Sequence, residues 1–221
     1  KFYANPYLGN DLDEKNLSKV IDEKIEKNTH GKKIYCEKIK SEEILISKVS
    51  SYLANNKVVG WFQNRMEWGP RALGNRSILA NPAYENMKDI INLKIKRREK
   101  FRPFAPSILE EHLDEWFEQK LDVPYMSAVF KIKKDKINKL PAVAHVDNTG
   151  RLQTVSIKKN QLFHKLIQSS FKISGVPILL NTSFNENEPI VNTSGQAIDC
   201  FLRTKMDILA IGKYILKRDD D

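Results

Sequence analysis

Gly60 to Pro82 reads GWFQNRMEWGPRALGNRSILANP, and no single helix or strand accommodates it. Lys57 to Phe62, mostly β-branched and aromatic, predict a buried strand; Gly69-Pro70 and Gly74-Asn75 then break any regular period. The middle of the chain is therefore a strand feeding an irregular loop. Arg65, Arg71 and Arg76 fall at six- and five-residue steps, which fit neither one helical face nor one side of a strand. Scattered surface arginines with Glu67 as a local partner would give the same spacing, but convergence on a ligand explains it better. Each guanidinium is an always-charged planar fork of donors, matched to phosphate or carboxylate oxygens.

The flanking chain alternates helical and strand patterns. Leu17, Val20, Ile21 and Ile25 predict an amphipathic helix over Asp11 to Asn28, ended by Asn28 to Gly31, and Lys33 to Ile39 a short strand. Ser41 can cap a second helix with Ile44, Leu45, Val49, Tyr52 and Leu53 inward, ended by Asn55-Asn56. After the loop come a strand at Ser77 to Ala80 and a helical stripe of Tyr84, Met87, Ile90, Ile91 and Ile95. The last turn of that stripe carries Lys94, Lys96, Arg97 and Arg98. Cations suit a helix carboxyl end, but four of them followed by Arg102 exceed what capping requires. Pro103 to Pro106 turns the chain into a strand at Ser107 to Leu109, and His112, Trp116 and Phe117 lie on an acidic helix, the histidine in a structural role.

Met126 to Ile132 and Leu152 to Ile157 alternate as strands. Between them, Pro141 to Gly150 and Arg151 gather His145, Asp147, Asn148, Thr149 and a guanidinium, readable as a packed His-Asp pair or as part of a site. Gln161 to Ser174 is a helix ended by Gly175, and Val176 to Leu180 a central strand followed by Asn181-Thr182-Ser183-Phe184-Asn185. Small hydrogen-bonding side chains there suit sugar hydroxyls and phosphates, or simply a turn. Thr193 or Ser194 caps a helix through Arg203, and Ile208 to Ile211 and Tyr214 to Leu216 close the sheet around Gly212. One α/β domain is expected from 221 residues.

Lys plus Arg number 37 against 28 Asp plus Glu, a net charge of +9, which favours anionic partners without choosing among them. Cys36 and Cys200 are too few for a disulfide framework and are expected to be buried or inert thiols. No apolar run is long enough to cross a bilayer and no signal-peptide pattern is present, so a cytoplasmic protein is expected. There is no GxxxxGK[ST] or GxGxxG loop, no nucleophile elbow and no metal-ligand spacing. What remains is a phosphate-handling set: Arg71, Arg76, Lys96, Arg98, Arg102 and Arg151, with Asn181, Ser183 and Asn185 beside a strand end.

Four motifs, NRMEWGPRALGNRSIL (Asn64 to Leu79), FRPFAPSIL (Phe101 to Leu109), AVAHVDNTGRLQTV (Ala142 to Val155) and PILLNTSFNENEPIV (Pro177 to Val191), occur in this order. Together they resemble the carboxy-terminal, YrdC-like domain of the O-carbamoyltransferases that modify nodulation factors, cephem antibiotics and aminoglycosides such as tobramycin. Asn64 and Asn148 stand where that pattern has glycine; asparagine is the next most tolerant residue of left-handed backbone, so the loops are expected to survive the exchange. NPYLG (Asn5 to Gly9) is similar to the linker that leaves the family's larger amino-terminal domain.

The resemblance implies a YrdC-like twisted mixed sheet flanked by helices. Residues 1–40 would be a linker and helix following an actin-like domain absent from this chain, and residues 41–218 the carbamoyltransferase carboxy-terminal domain. It implies binding of ATP with Mg²⁺ and carbamoyl phosphate, formation of carbamoyl-adenylate, and transfer to an acceptor hydroxyl by the actin-like domain, which carries the metal. Carried over by position, Lys96, Arg102 and Arg151 would be catalytic. Arg71, Asn181 and Ser183 would bind substrate or nucleotide, and Arg76, Arg98, His145 and Asn185 would line or support the pocket. No protein-held metal, membrane or nucleic-acid partner is implied. Two alternatives remain: a YrdC-type threonylcarbamoyl-adenylate synthase of transfer-RNA modification, and a non-catalytic nucleic-acid-binding module.

Overall fold

The computed structural model describes residues 4–28, 33–99 and 101–218. Nine strands form a single mixed sheet: β1 (Ile34–Lys38), β2 (Val59–Phe62), β3 (Arg76–Ala80), β4 (Ala105–Leu109), β5 (Ala128–Lys131), β6 (Thr149–Val155), β7 (Ile178–Ser183), β8 (Ile208–Ile211) and β9 (Tyr214–Arg218). Their order is β1-β9-β8-β2-β3-β7-β4-β6-β5, with β2/β8 and β4/β6 parallel and the other neighbours antiparallel. This is the mixed, helix-flanked α/β sheet expected from the sequence.

Strand alternation feeds two cores. Val59, Trp61, Leu79 and Leu179 point to the face covered by α2 (Glu42–Ala54) and α5 (Gln161–Ser174). Phe62, Ile78, Ala80, Ile178 and Leu180 point to the face covered by α1 (Leu17–Glu26) and α6 (Ser194–Arg203). Each fully buried large side chain contributes about 1.5–3 kcal/mol, so the sheet is anchored from both sides. The helices start where capping chemistry places them. Ser41 accepts from the Ile44 N–H, Asn160 from the Phe163 N–H, and Thr193 forms a capping box with Gln196.

Several elements differ from the expected ones. The stripe from Tyr84 to Ile95 is a short α3 (Met87–Ile91) continuing as a π-turn, Asn92–Lys96, and Arg97 leaves it at φ 44°. The wider turn rotates Asn92, Ile95 and Lys96 inward together. The acidic helix shrinks to a 3₁₀ turn, Glu110–His112, and one turn of α4 (Leu113–Trp116), because Phe117 leaves to bridge Ile132. Strand β7 runs through Ser183, so Asn181 and Ser183 belong to the strand itself, Asn181 paired with both β3 and β4 and Ser183 with β3. Cys36, expected to be buried or inert, is exposed on the edge strand β1, while Cys200 is buried.

Residues 1–40 contain the expected helix, α1, and also the edge strand β1. Leu17 and Ile21 are core residues, and β1 pairs with β9 along its whole length. The predicted helix stop reaching Gly31 lies partly outside the described residues. Asn64 and Asn148 both adopt left-handed backbone, at φ 47° and 61°.

The pairing registers bring the irregular segments to one end of the sheet. Ser77 faces Ser183, Ala105 faces Asn181, and Ser107 faces Gln153. The loops before β3, before β4 and before β6, and the chain leaving β7, therefore open on the same side.

Candidate functional site

The loop between β2 and β3 is shaped from inside by a carboxylate. Glu67 is buried, and its Oε1 accepts from the backbone N–H groups of Leu73, Asn75 and Arg76 at 2.6, 2.7 and 3.2 Å. The Leu73 carbonyl accepts from the Tyr7 hydroxyl and from Gln153 Nε2, and Asn160 ties Tyr7 to Asn75. Gly74 sits at φ 105°, and a Cβ there would come within 2.2 Å of the Phe163 ring. Glycine is required for the loop to lie flat on α5.

Of the three arginines in this stretch, Arg71 lines a cavity, while Arg76 and Arg65 are bound to backbone carbonyls. Arg76 is wholly buried. Its guanidinium donates to the carbonyls of Gln63, Asn75, Asn10 and Asn64, and stacks 3.7 Å from the centroid of Phe62. Arg65 donates to the carbonyls of Leu8 and Gly9. Both arginines fasten the segment before α1 to the loop. The expected convergence holds for Arg71 alone, because buried backbone carbonyls are the stronger claim on the other two.

Arg71 meets arginines from other segments. A cavity of about 280 Å³ is lined by Arg71, Arg98, Arg102, Arg151, His145, Asn181 and Ser183, with Phe104 and Met126 among its apolar walls. Among the described residues no carboxylate lines it. Burial and the neighbouring Arg151 lower the pKa of Arg71, and burial and Arg102 lower that of Arg98. These are guanidiniums crowding one another. Arg98 donates to Asn92 Oδ1 and lies over the Phe104 ring, and Arg102 pairs with Glu99 at 3.1 Å. Arg71 and Arg151 have no hydrogen-bond or ion-pair partner among the described residues. Such an array suits an anionic ligand.

Two expected contact residues stand behind the wall. Lys96, 3 % exposed, does not line the cavity. Its Nζ donates to the Ser183 carbonyl and Oγ and to the Asn185 carbonyl and Oδ1, at 2.6 to 3.3 Å. Burial, then Arg98, pulls its pKa down to about 7, while the four oxygens favour the ammonium form. Asn185 likewise serves this junction, donating to the Glu188 carbonyl.

Asn181 is buried at the cavity floor. Its Nδ2 reaches the Ala72 carbonyl, Ser107 Oγ and Gln153 Oε1, and Ser107 Oγ donates to Gln153 at 2.6 Å. Nothing in the sequence pattern marks Ser107, Gln153, Glu67, Asn160 and Tyr7 as site-forming. Isolated polar residues in strands and loops carry no periodic signal, although Ser107 and Gln153 lie inside the quoted motifs.

His145 and Asp147 are not directly paired. Thr149 stands between them: its hydroxyl lies 2.7 Å from Asp147 Oδ1 and 3.1 Å from His145 Nδ1. Burial, together with Arg151 and Lys88, lowers the His145 pKa against the opposing pull of Asp147. Among the described residues no group of three or more His, Cys, Asp or Glu is placed to hold a metal ion, and no helix is long and apolar enough to cross a membrane.

Comparison with known proteins fits this geometry. Residues 50–218 match the family model described as carbamoyltransferase C-terminus. The nodulation protein NolNO of Sinorhizobium fredii is 49% identical over 176 residues, covering 78% of this chain and 26% of that protein. The chain thus spans about a quarter of that relative's length. Among solved structures, P. abyssi Sua5 complexed with L-threonine superposes with a TM-score of 0.57 at 14% identity, over 78% of this chain and 48% of its own. Full-length HypF in a phosphate- and nucleotide-bound form gives 0.52 at 16%, over 86% and 23%. At such identities the two structures share the fold.

Proposed function

This chain belongs to the carbamoyltransferase C-terminus family, and from that premise we propose that its cavity takes the phosphates of ATP together with carbamoyl phosphate and forms carbamoyl-adenylate. The observation that carries the reading is the four-guanidinium cavity without a carboxylate, two of whose cations are unpaired among the described residues. A hydrogen bond to a charged group contributes about 1.5–3 kcal/mol, so several of them hold two anions together against their mutual repulsion. At about 280 Å³ the space suits phosphates and a one-carbon anion, with base and ribose at the open mouth.

In this reading Arg71, Arg98, Arg102 and Arg151 neutralise the phosphates and steady the departing pyrophosphate. Asn181 and Ser183 complete the wall, and Lys96 fixes Ser183 from behind. Adenylation needs carbamate in line with the α-phosphorus and little covalent help. With no acidic side chain in the lining, Mg²⁺ would arrive on the triphosphate. The longer relative supports an amino-terminal part of the same protein, read as the actin-like domain, that passes the carbamoyl group to an acceptor hydroxyl.

The test is pyrophosphate release from Mg²⁺-ATP that depends on carbamoyl phosphate, with thermal stabilisation by the two ligands scored separately. Release or stabilisation with threonine and bicarbonate instead would favour a threonylcarbamoyl-adenylate synthase. A response to oligoribonucleotide alone, growing with strand length, would favour a nucleic-acid module.

A further inference from the structure

The His145-Thr149-Asp147 chain assigns a protonation state. A carboxylate accepts only, so the hydrogen in the 2.7 Å contact between Thr149 and Asp147 belongs to the threonine hydroxyl. The Thr149 backbone N–H also donates to Asp147 Oδ1, at 3.1 Å, which fixes the carboxylate. Thr149 Oγ1 is left to accept from His145, so the imidazole carries its proton on Nδ1 and keeps a lone pair on Nε2. The Asn148 N–H donates to the His145 carbonyl and the His145 N–H to the Thr149 carbonyl, closing the loop that holds this arrangement. His145 lines the cavity alongside Arg151 and Arg71. A neutral imidazole whose free nitrogen is basic, set among guanidiniums, is the combination that proton abstraction next to an anion calls for.

Resting on the function proposed above, we infer that His145 is the general base that activates water against carbamoyl phosphate. Nε2 takes one proton from the water as its oxygen bonds to the carbamoyl carbon. The bond from that carbon to the bridging phosphate oxygen breaks, and its electron pair leaves with the phosphate, which the arginines hold. The imidazolium returns its proton to the phosphate, giving hydrogen phosphate and carbamic acid, and the latter ionises to the carbamate that attacks ATP. Water supplies every added atom and the imidazole ends neutral. The groups that bear on His145 are Arg151 and Lys88, which oppose its protonation, and Asp147, which favours it. Burial, ahead of these charges, holds its pKa below the ordinary imidazole value.

The experiment compares wild type with His145→Gln and Thr149→Val, measuring pyrophosphate release from Mg²⁺-ATP with two inputs. One input is carbamoyl phosphate; the other is carbamate formed in ammonium bicarbonate solution, which needs no hydrolysis. General-base catalysis is worth roughly 10²–10⁴-fold, so His145→Gln is expected to lose at least about 100-fold with carbamoyl phosphate and less than about threefold with carbamate. Wild type should show a fall in the carbamoyl phosphate-driven rate on acidification, and His145→Gln should lack it. Thr149→Val, which keeps the imidazole and removes its orienting hydroxyl, should give an intermediate loss with the same input preference. In ¹⁸O-labelled water the released phosphate should carry no solvent oxygen. Equal losses with both inputs, an unchanged acid limb in His145→Gln, or labelled phosphate would overturn the assignment. A wild-type chain silent with both inputs would overturn the proposed function, and this step with it.

Discussion

The Lys96 ammonium lies 2.6 Å from the carbonyl oxygen of Ser183, so this lysine holds the cavity wall and does not face the cavity. Its removal leaves the Ser183 and Asn185 oxygens without their shared donor. An unsatisfied buried group costs about 1–3 kcal/mol, and Lys96→Met should lower thermal stability by that order. It should also weaken anion binding more than Lys94→Met, at an exposed neighbour. Calorimetric unfolding and pyrophosphate titration of both variants give the comparison.

The same lysine makes a pH prediction. Its folded pKa of about 7 lies below the ordinary 10.5, so between those values the unfolded chain binds more protons. Wild type should therefore gain stability relative to Lys96→Met as pH rises from 7 towards 10, by at most about 1.4 kcal/mol per pH unit. Denaturant unfolding at pH 7 and pH 9 reads the difference. A gap that stays constant would show that the four oxygens keep the amine charged throughout.

Arg71 and Arg151 should trade stability for binding. Neither has a partner among the described residues and each opposes the other's charge, so Arg71→Ala or Arg151→Ala should leave the ligand-free melting temperature unchanged or raised. Pyrophosphate affinity should fall roughly 10- to 100-fold in each, the equivalent of one charge-assisted hydrogen bond. Isothermal titration beside a thermal melt separates the two effects.

Arg76 should behave in the opposite way. Four carbonyls depend on its guanidinium, so Arg76→Met should cost about 3–5 kcal/mol of stability, and the protein that remains folded should bind pyrophosphate with little change. A large affinity loss at unchanged stability would place Arg76 in the site after all.

Glu67→Gln tests the loop itself. Three backbone N–H groups converge on Oε1, and neutralising it weakens bonds worth about 1.5–3 kcal/mol each. A lower melting temperature and faster proteolysis between residues 65 and 76 are expected, together with weaker anion binding, since Arg71 rides on this loop.

Strong periodicity made the helices legible. The sequence pattern of Gln161 to Ser174 gives the observed bounds because its apolar stripe ends at a glycine, which turns left-handed. The stripe ending at Ile95 misled because a π-turn shifts its register by one residue, which no apolar spacing reveals. Asn181 and Ser183 read as a segment following the strand, suited to a ligand or to a turn, yet pairing with β3, and for Asn181 with β4 as well, keeps them extended within it. The cationic cavity was legible in outline, since Arg71, Arg102 and Arg151 do line one space. Which arginine would be spent on carbonyls was not, because that depends on where residues 8–10 lie, a contact some 66 positions away in the chain.

The cavity takes its lining from loops brought together by the β3-β7-β4-β6 ladders, pairings between segments far apart in the chain. A half-assembled chain has nowhere to put an anion. Ligand should therefore act on the escape from the finished structure, slowing its unfolding, and leave the speed at which the chain first folds almost untouched.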